Sequence, residues 1–185
     1  MSKKIASAAL ASLLAVSMTV SAFAADSVSG NSVQKGADVI ADGNGVAVEA
    51  KASGKVTKVD VKDGAATVKA VEKKAKKVTL DKVTVNGKTA EVTVVAKNAF
   101  KGSKATKVVV KSSKISIKKN AFKGSKKKIT LDLTAIKNGK NIKLSKSLGL
   151  KKGSTIVVSK KAYKNKALKA ILKALKKKGI KIKKK

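Results

Sequence analysis

The sequence predicts a β-rich solenoid of short strands and short helical turns, with β-hairpins at its N-terminal end and a capping α-helix at its C-terminal end. The first observation is a repeat: Asn-Ala-Phe-Lys-Gly-Ser-Lys occurs at 98–104 and returns unchanged at 120–126. The second is that strand-forming residues precede both Phe at matching positions, with Ile115 and Ile117 standing before the second copy. A short sequence that returns at a fixed interval is typical of stacked repeat proteins.

Residues 1–24 have the pattern of a secretory signal peptide. Lys3 and Lys4 provide a basic start, residues 5–20 are apolar, and Ala22-Phe23-Ala24 supplies the small residues that precede a cleavage site. The alternative is a membrane anchor, which is disfavoured because hydroxyl side chains interrupt the apolar stretch and because it is short for a span. We therefore predict cleavage before Ala25 and a secreted or extracellular, cell-surface location.

Residues 25–54 are predicted to form a flexible polar lead, because they are rich in Gly and Ser and lack a regular apolar pattern. Within them, Asp42-Gly43-Asn44-Gly45 resembles the start of a calcium-binding loop. Val46 and Ser53 stand where such a loop needs an oxygen ligand and a bidentate Glu. We therefore predict a turn here and no metal site.

Residues 55–158 are predicted to contain β-hairpins followed by the solenoid repeats. Valine-rich runs flank Asp63-Gly64, and a second pair of Val- and Thr-rich runs flanks Asn86-Gly87. Two-residue Asp-Gly and Asn-Gly turns are the strongest short-range signal for a hairpin. We expect these hairpins to shield the first open edge of the repeats.

Each repeat unit is predicted to comprise a strand, a tight turn over Asn-Ala-Phe, a glycine corner and a second strand. Phe100 and Phe122 should point inward and stack on one another. Gly102 and Gly124 should supply the positive φ angles that let the chain turn back.

A third copy of the repeat is weaker. Ile156 and Val158 stand at the strand positions before Tyr163, which takes the place of the Phe. Ahead of this copy the repeat is degenerate, and Leu148 is the best residue for the aromatic position. The predicted structural core of the repeats consists of Phe100, Phe122 and Tyr163.

Residues 159–185 are predicted to form a C-terminal capping helix and a basic tail. Apolar residues recur at the i, i+3, i+4 and i+7 spacing of one helix face, namely at Leu168, Ile171, Leu172 and Leu175. Ser159 and Gly179 are the expected N- and C-terminal caps, and a short strand should follow them. Alternatively, such a Lys-rich amphipathic helix could lie on an anionic membrane.

The charge of the chain is extreme. Its 45 basic residues are all Lys and face 10 acidic residues, for a formal net charge of +35. Such a surface attracts polyanions, and Lys acts there as a hydrated point charge, whereas Arg reads its partner bidentately. We therefore predict unspecific polyanion contacts, with a purely compositional origin of the charge as the alternative. The candidate contact residues are Lys126, Lys127, Lys128, Lys176, Lys177 and Lys178.

Three motifs point to a known family: Val-Asn-Gly-Lys at 85–88, the two Asn-Ala-Phe-Lys-Gly copies, and Ala162-Tyr163-Lys164 ahead of a helix ending in Lys-Lys-Lys-Gly. Together they resemble the BspA-like leucine-rich repeats of secreted and surface proteins from clostridia-like bacteria. The resemblance covers residues 78–185 and implies a leucine-rich-repeat solenoid that serves protein binding and adhesion. Thr106 and Lys128 depart from the family pattern, which usually has Leu or Ile six residues after the Phe.

The residue types disfavour catalysis. The chain has no His and no Cys, so the commonest general base, thiol nucleophiles and the usual zinc ligands are missing. Its carboxylates are scattered, with no pair at a spacing suited to glycoside hydrolysis. A Ser–Lys dyad is the remaining catalytic alternative. We expect a non-enzymatic protein without a cofactor.

Two classes of function fit these observations. The first is a secreted or cell-surface binding and adhesion protein whose lysines contact an anionic cell-wall polymer, an acidic glycan, or a host or bacterial surface protein. The second is an exported polyanion- or nucleic-acid-binding protein, but the chain lacks Arg and exposed aromatic platforms for stacking bases. A membrane-active cationic protein is a third alternative.

Overall fold

A computed structural model describes residues 39–42, 47–49, 56–85 and 88–185 of the chain. The predicted signal peptide, residues 1–24, lies outside the described residues, as do most of the calcium-like loop and the turn at Asn86-Gly87. Two short strands fall within the predicted polar lead, at Val39–Asp42 and Ala47–Glu49.

The described part of the chain contains thirteen strands, two α-helices and one 3-10 turn. The strands are β1 (Val39–Asp42), β2 (Ala47–Glu49), β3 (Val56–Lys62), β4 (Ala65–Val71), β5 (Lys77–Leu80), β6 (Lys82–Val85), β7 (Lys88–Val95), β8 (Lys107–Val110), β9 (Ile115–Ile117), β10 (Thr130–Asp132), β11 (Ile142–Leu144), β12 (Thr155–Val158) and β13 (Lys181–Lys184). The helices are α1 (Lys160–Tyr163) and α2 (Lys166–Lys177), and the 3-10 turn is Gly139–Asn141.

Within the described residues, the strands form two sheets. The mixed sheet has eight strands in the order β11-β9-β7-β4-β3-β1-β2, with β6 also paired to β7. The parallel sheet has five strands in the order β13-β12-β10-β8-β5, and every pairing in it is parallel. The inward-facing side chains of both sheets form one apolar core.

The predicted leucine-rich-repeat solenoid is wrong. A leucine-rich repeat has one strand per repeat and a helix or 3-10 segment on the opposite side, whereas strands here form both sides of the core. The interval between paired strands also varies: Val94 pairs with Ser116, twenty-two residues on, but Ile115 pairs with Ile142, twenty-seven residues on. The twenty-two-residue spacing of the two identical heptads therefore matches the spacing of β7 and β9, and it is not the spacing of every pair of neighbouring strands.

The two predicted hairpins are present, but they do not close an edge of the repeats. β3 and β4 pair antiparallel around Asp63-Gly64, whose φ angles of 50° and 70° suit a type I′ turn. β6 and β7 also pair antiparallel. Because β4 pairs in parallel with β7, the first hairpin extends the mixed sheet beyond the repeats.

The repeated Phe residues lie at the centre of the core, as predicted. Phe100 and Phe122 are both 0% exposed, and their ring centroids are 4.7 Å apart at an interplanar angle of 35°. In the next turn the Leu148 carbonyl accepts a hydrogen bond from the Phe122 N–H at 2.9 Å, as the Ala121 carbonyl does from the Phe100 N–H at 3.0 Å; Leu148 is also buried. Gly102 and Gly124 have φ angles of 76° and 78°, so the predicted glycine corners are also confirmed.

Tyr163 packs against the same core but is only partly buried, and it does not stack on Phe100 or Phe122. The reason is that the strand of the third copy belongs to a different sheet from the strands of the first two copies. Ile156 and Val158 lie in β12, which pairs with β10 in the parallel sheet and is not equivalent to β7 or β9. Tyr163 therefore falls on α1, where it is half-buried and its ring centroid lies 5.0 Å from the Nζ of Lys184.

The predicted C-terminal helix is present as α2. Its apolar face, Leu168, Leu172 and Leu175, is buried against β11, β13 and the 3-10 turn, and it is therefore not free to lie on a membrane. Asn165 caps the helix, since its side chain accepts a hydrogen bond from the Leu168 N–H at 2.9 Å. The predicted cap, Ser159, instead caps α1. Among the described residues, no helix is long and apolar enough to cross a bilayer.

Gly139 makes the closest approach between the 3-10 turn and the helices. A Cβ atom there would lie 2.3 Å from the carbonyl oxygen of Ala162 and 2.5 Å from the Cβ of Asn165. We expect Gly139→Ala to lower the free energy of unfolding by about 1 to 3 kcal/mol, as overpacking in a closely packed site does. Urea denaturation followed by circular dichroism would measure this, and an unchanged midpoint would contradict it.

Candidate functional site

Exposed lysines crowd the turns through which the chain enters the parallel sheet. Because the described strands of that sheet all run in the same direction, the turns that precede them lie side by side at the N-terminal ends of the strands. We call twelve of the exposed lysines of these turns the lysine ridge; they are Lys73, Lys101, Lys104, Lys123, Lys126, Lys127, Lys128, Lys151, Lys152, Lys176, Lys177 and Lys178.

Backbone hydrogen bonds hold successive turns of the ridge in line. The Lys104 N–H donates to the Lys73 carbonyl at 2.9 Å, and the Lys126 N–H donates to the Ser103 carbonyl at 2.7 Å. Neighbouring strands in a hydrogen-bonded ladder are about 4.8 Å apart. The ridge therefore presents a new group of lysines roughly every 5 Å along the direction in which the turns stack.

The repeated Gly-Ser pair determines which residues of each turn face outward. Ser103 is 0% exposed, and its hydroxyl accepts a hydrogen bond from the Ala105 N–H at 3.1 Å. Ser125, its counterpart in the second copy, is 4% exposed. Since the two serines face the core, the lysines beside them are left on the surface.

The aliphatic stems of several ridge lysines lie over a glycine of the next turn. A Cβ atom at Gly102 would lie 3.8 Å from the Cδ of Lys73, and one at Gly124 would lie 3.3 Å from the Cγ of Lys101. A lysine stem often packs along a surface while its ammonium group stays in water. Because the glycines have no side chain, they leave space in which the aliphatic part of each lysine packs. The ammonium groups remain exposed.

A second row of stems follows the same rule further along the ridge. A Cβ atom at Gly153 would lie 3.4 Å from the Nζ of Lys128, and one at Gly179 would lie 2.6 Å from the Cγ of Lys152. The Nζ of Lys151 is also anchored, because it donates a hydrogen bond to the Lys126 carbonyl at 3.0 Å. Part of the ridge is therefore an ordered array of cations.

The structure brings the two predicted lysine triads onto the same ridge. Lys126–Lys128 and Lys176–Lys178 are exposed and lie on either side of the turn that carries Lys151 and Lys152. The middle turn is not recognisable from the sequence because it belongs to the degenerate part of the repeat. Lys101 and Lys123 were not among the predicted contact residues, although each stands directly before a repeated glycine, a signal that points to both.

Few carboxylates lie close enough in sequence to neutralise the ridge. No acidic residue follows Asp132 in the chain. Asp60 pairs with Lys69 at 2.5 Å on the β3–β4 hairpin, and the Glu91 carboxylate accepts hydrogen bonds from the backbone N–H and hydroxyl of Ser113. Glu72 lies beside Lys73 and Lys101 at the first turns of the ridge, but the turns that follow Asp132 carry no acidic residue. That part of the ridge therefore presents its positive charge to solvent.

The described part of the chain offers no metal-binding cluster of three or more His, Cys, Asp or Glu residues. The chemistry that the ridge can supply is electrostatic attraction and hydrogen-bond donation from ammonium groups. An extended anion lying across several turns would meet several of these donors at once.

No protein-family model matches this chain, and no curated protein or solved structure is significantly similar to it. The resemblance to BspA-like repeats therefore stays a prediction made from sequence motifs.

Proposed function

We propose that this protein is a non-enzymatic binding protein, secreted or held at the cell surface, whose lysine ridge contacts anionic wall polymers or acidic glycans. The observation that carries the proposal is the ordered stacking of ridge lysines over the glycines of successive turns, as for Lys101 over Gly124. An array of this kind is organised before binding, so less conformational freedom is lost when a polyanion binds.

A linear polymer suits the ridge better than a small anion does. Each turn contributes its own ammonium groups, and a ligand that spans several turns gains a contact from each. The release of counterions from a polyanion adds a favourable, salt-dependent term for every charge that is neutralised. Affinity should therefore rise with the length of the polymer until the ridge is covered.

Nucleic acid is a less suitable partner. The chain has no Arg to read base edges, and Phe100 and Phe122 are 0% exposed, so neither ring can stack on a base. Tyr163 is half-buried, so its ring offers little free face on which a base could stack. Polymers that carry only regularly spaced charges match the ridge more closely.

Sedimentation with bacterial cell-wall fragments tests the proposal. The mature protein should sediment with the walls at low salt and be released at roughly several hundred millimolar salt, where surface electrostatics are screened. Walls stripped of their anionic polymers provide the control. Equal binding to stripped and intact walls would overturn the proposal.

Salt should also stabilise the free protein. Closely spaced ammonium groups repel one another, and screening of this repulsion favours the compact state of a highly charged chain. We expect the melting temperature to rise as salt increases from roughly 10 to 150 mM, a range over which the Debye length falls from about 30 to 8 Å. A melting temperature that falls over this range would contradict the repulsive character of the surface.

A further inference from the structure

A second polar site lies on the outer face of the mixed sheet. A groove of about 360 Å³ crosses β7, β9 and β11 there. Its floor includes Val94 and Ile115, and it is surrounded by the hydroxyl, amide and ammonium groups described below. The groove lies at the N-terminal ends of β9 and β11. The turns of the lysine ridge lie at the opposite end of the mixed sheet, after the C-terminal ends of its strands.

A β-bulge places a threonine in this groove. Ala66 pairs with Val92 and Thr67 pairs with Val94, which leaves Thr93 as the extra residue of β7. Bulges of this kind redirect a side chain and are frequent beside functional sites. Thr93 is 9% exposed, and its hydroxyl forms no hydrogen bond with any residue that the structure describes. The hydroxyl oxygen itself reaches solvent, because Asp60 Oδ1 is the one fully buried side-chain polar atom without a partner among the described residues. It is therefore open to a hydrogen bond from or to a ligand in the groove.

Two further polar groups line the groove beside Thr93. Ser116 lies between Val94 and Lys143 in the sheet register, and its hydroxyl also has no hydrogen-bond partner among the described residues. The side-chain amide of Asn141 donates to the Ser113 carbonyl at 3.2 Å. This bond orients the amide and leaves its oxygen free to accept.

Three exposed lysines, Lys114, Lys140 and Lys143, complete the wall of the groove. None of them forms an ion pair with a described residue. The nearby Glu91 carboxylate is occupied by Ser113. The groove thus combines hydroxyl and amide groups with three lysines, which outnumber the one nearby carboxylate, Glu91.

We propose that this groove binds one acidic saccharide unit, a sugar ring that carries a carboxylate. The sugar hydroxyls match Thr93, Ser116 and the Asn141 oxygen, while the carboxylate matches the lysines. Val94, which is partly exposed, offers an apolar surface for the C–H face of the ring, whereas the Ile115 side chain is buried in the core. The proposal is independent of the lysine ridge and stands if the ridge binds nothing.

Isothermal titration with glucuronate tests the proposal, with glucose as the neutral analogue. Glucuronate should bind and glucose should bind at least several-fold more weakly. Thr93→Val keeps the shape of the side chain but removes the hydroxyl, and it should lower the glucuronate affinity about fivefold, the equivalent of one hydrogen bond. Lys143→Gln should lower it about threefold, as expected for an exposed charge contact.

Thr79→Val is the matched control, because Thr79 lies on β5 of the parallel sheet and is also partly buried. It should leave the affinity unchanged, as should Lys101→Gln in the ridge. Ser116→Ala provides a second probe of the groove if Thr93→Val is unstable. Absence of glucuronate binding to the wild-type protein, equal binding of glucose, or unchanged affinity in both groove hydroxyl variants would overturn the proposal.

Discussion

Phe122→Ala is expected to lower the free energy of unfolding by about 3 to 5 kcal/mol, the range for removing a buried aromatic ring. Phe122 is 0% exposed and stacks on Phe100 with a centroid distance of 4.7 Å. The chain has no Trp and only three Phe, and the neighbouring ring, Phe100, is itself fully buried in the core. Urea denaturation followed by far-ultraviolet circular dichroism would measure the loss.

Two variants serve as controls for this prediction. Phe122→Leu keeps most of the volume and should cost less than about 2 kcal/mol. Tyr163→Ala removes a half-buried ring outside the stack and should cost clearly less than Phe122→Ala. If Phe122→Ala stayed within about 1 kcal/mol of the wild-type protein, the central position of the Phe stack in the core would be refuted.

Replacement of four stem-packed ridge lysines by Gln is expected to weaken polyanion binding roughly 10- to 100-fold at low salt, given up to about 1 kcal/mol for each exposed contact. The variant is K101Q/K123Q/K128Q/K152Q, and each of these side chains lies beside a glycine of the next turn. The slope of log affinity against log salt should become shallower by about 3, since four fewer charges are neutralised. Titration with a fluorescent linear polyuronate would measure both quantities.

A variant of equal net charge separates the arrangement of the lysines from their number. K111Q/K160Q/K161Q/K164Q removes four exposed lysines that follow β8 or β12, at the opposite end of the strands of the parallel sheet. It should change the affinity less than threefold, because only the long-range field is weakened. Equal losses in the two variants would mean that net charge alone drives binding.

Local features of the fold could be predicted from the sequence. Asp63-Gly64 specifies a turn with positive φ at both residues, Leu168, Leu172 and Leu175 fall on one helix face, and Phe100 and Phe122 lie in identical heptads. Each of these signals lies within a few residues of the structure that it specifies. They were sufficient for both hairpins, for α2 and for the aromatic stack.

The sheet topology could not be predicted in the same way. The pairing of β5 with β8, or of β12 with β13, depends on contacts between segments that share no repeated motif. The position of Tyr163 outside the stack could not be predicted, because alternating apolar residues at Ile156 and Val158 fit a strand of either sheet equally well. Sequence periodicity identifies strands, but long-range packing decides which sheet each of them joins.

The lysine ridge and the groove, like the fold, could be predicted from the sequence only in their local features. The runs Lys126–Lys128 and Lys176–Lys178 are visible in the sequence, but their proximity depends on the stacking of turns. Thr93 lies in a Val- and Thr-rich run that predicts a strand and nothing more, since the bulge at this position appears only from the register of β4 and β7. Charge density was therefore predictable, whereas the geometry of each site was not.

Lysine acetylation footprinting tests the central claim, that polyanions bind along the lysine ridge, most directly. The mature protein is labelled briefly with an acetylating reagent at low salt, with and without a linear polyuronate, and the modification of each lysine is measured by mass spectrometry. Bound polymer should slow acetylation at Lys101, Lys123, Lys128 and Lys152, while Lys111, Lys160 and Lys161 react at unchanged rates. Equal protection of both groups would contradict the claim.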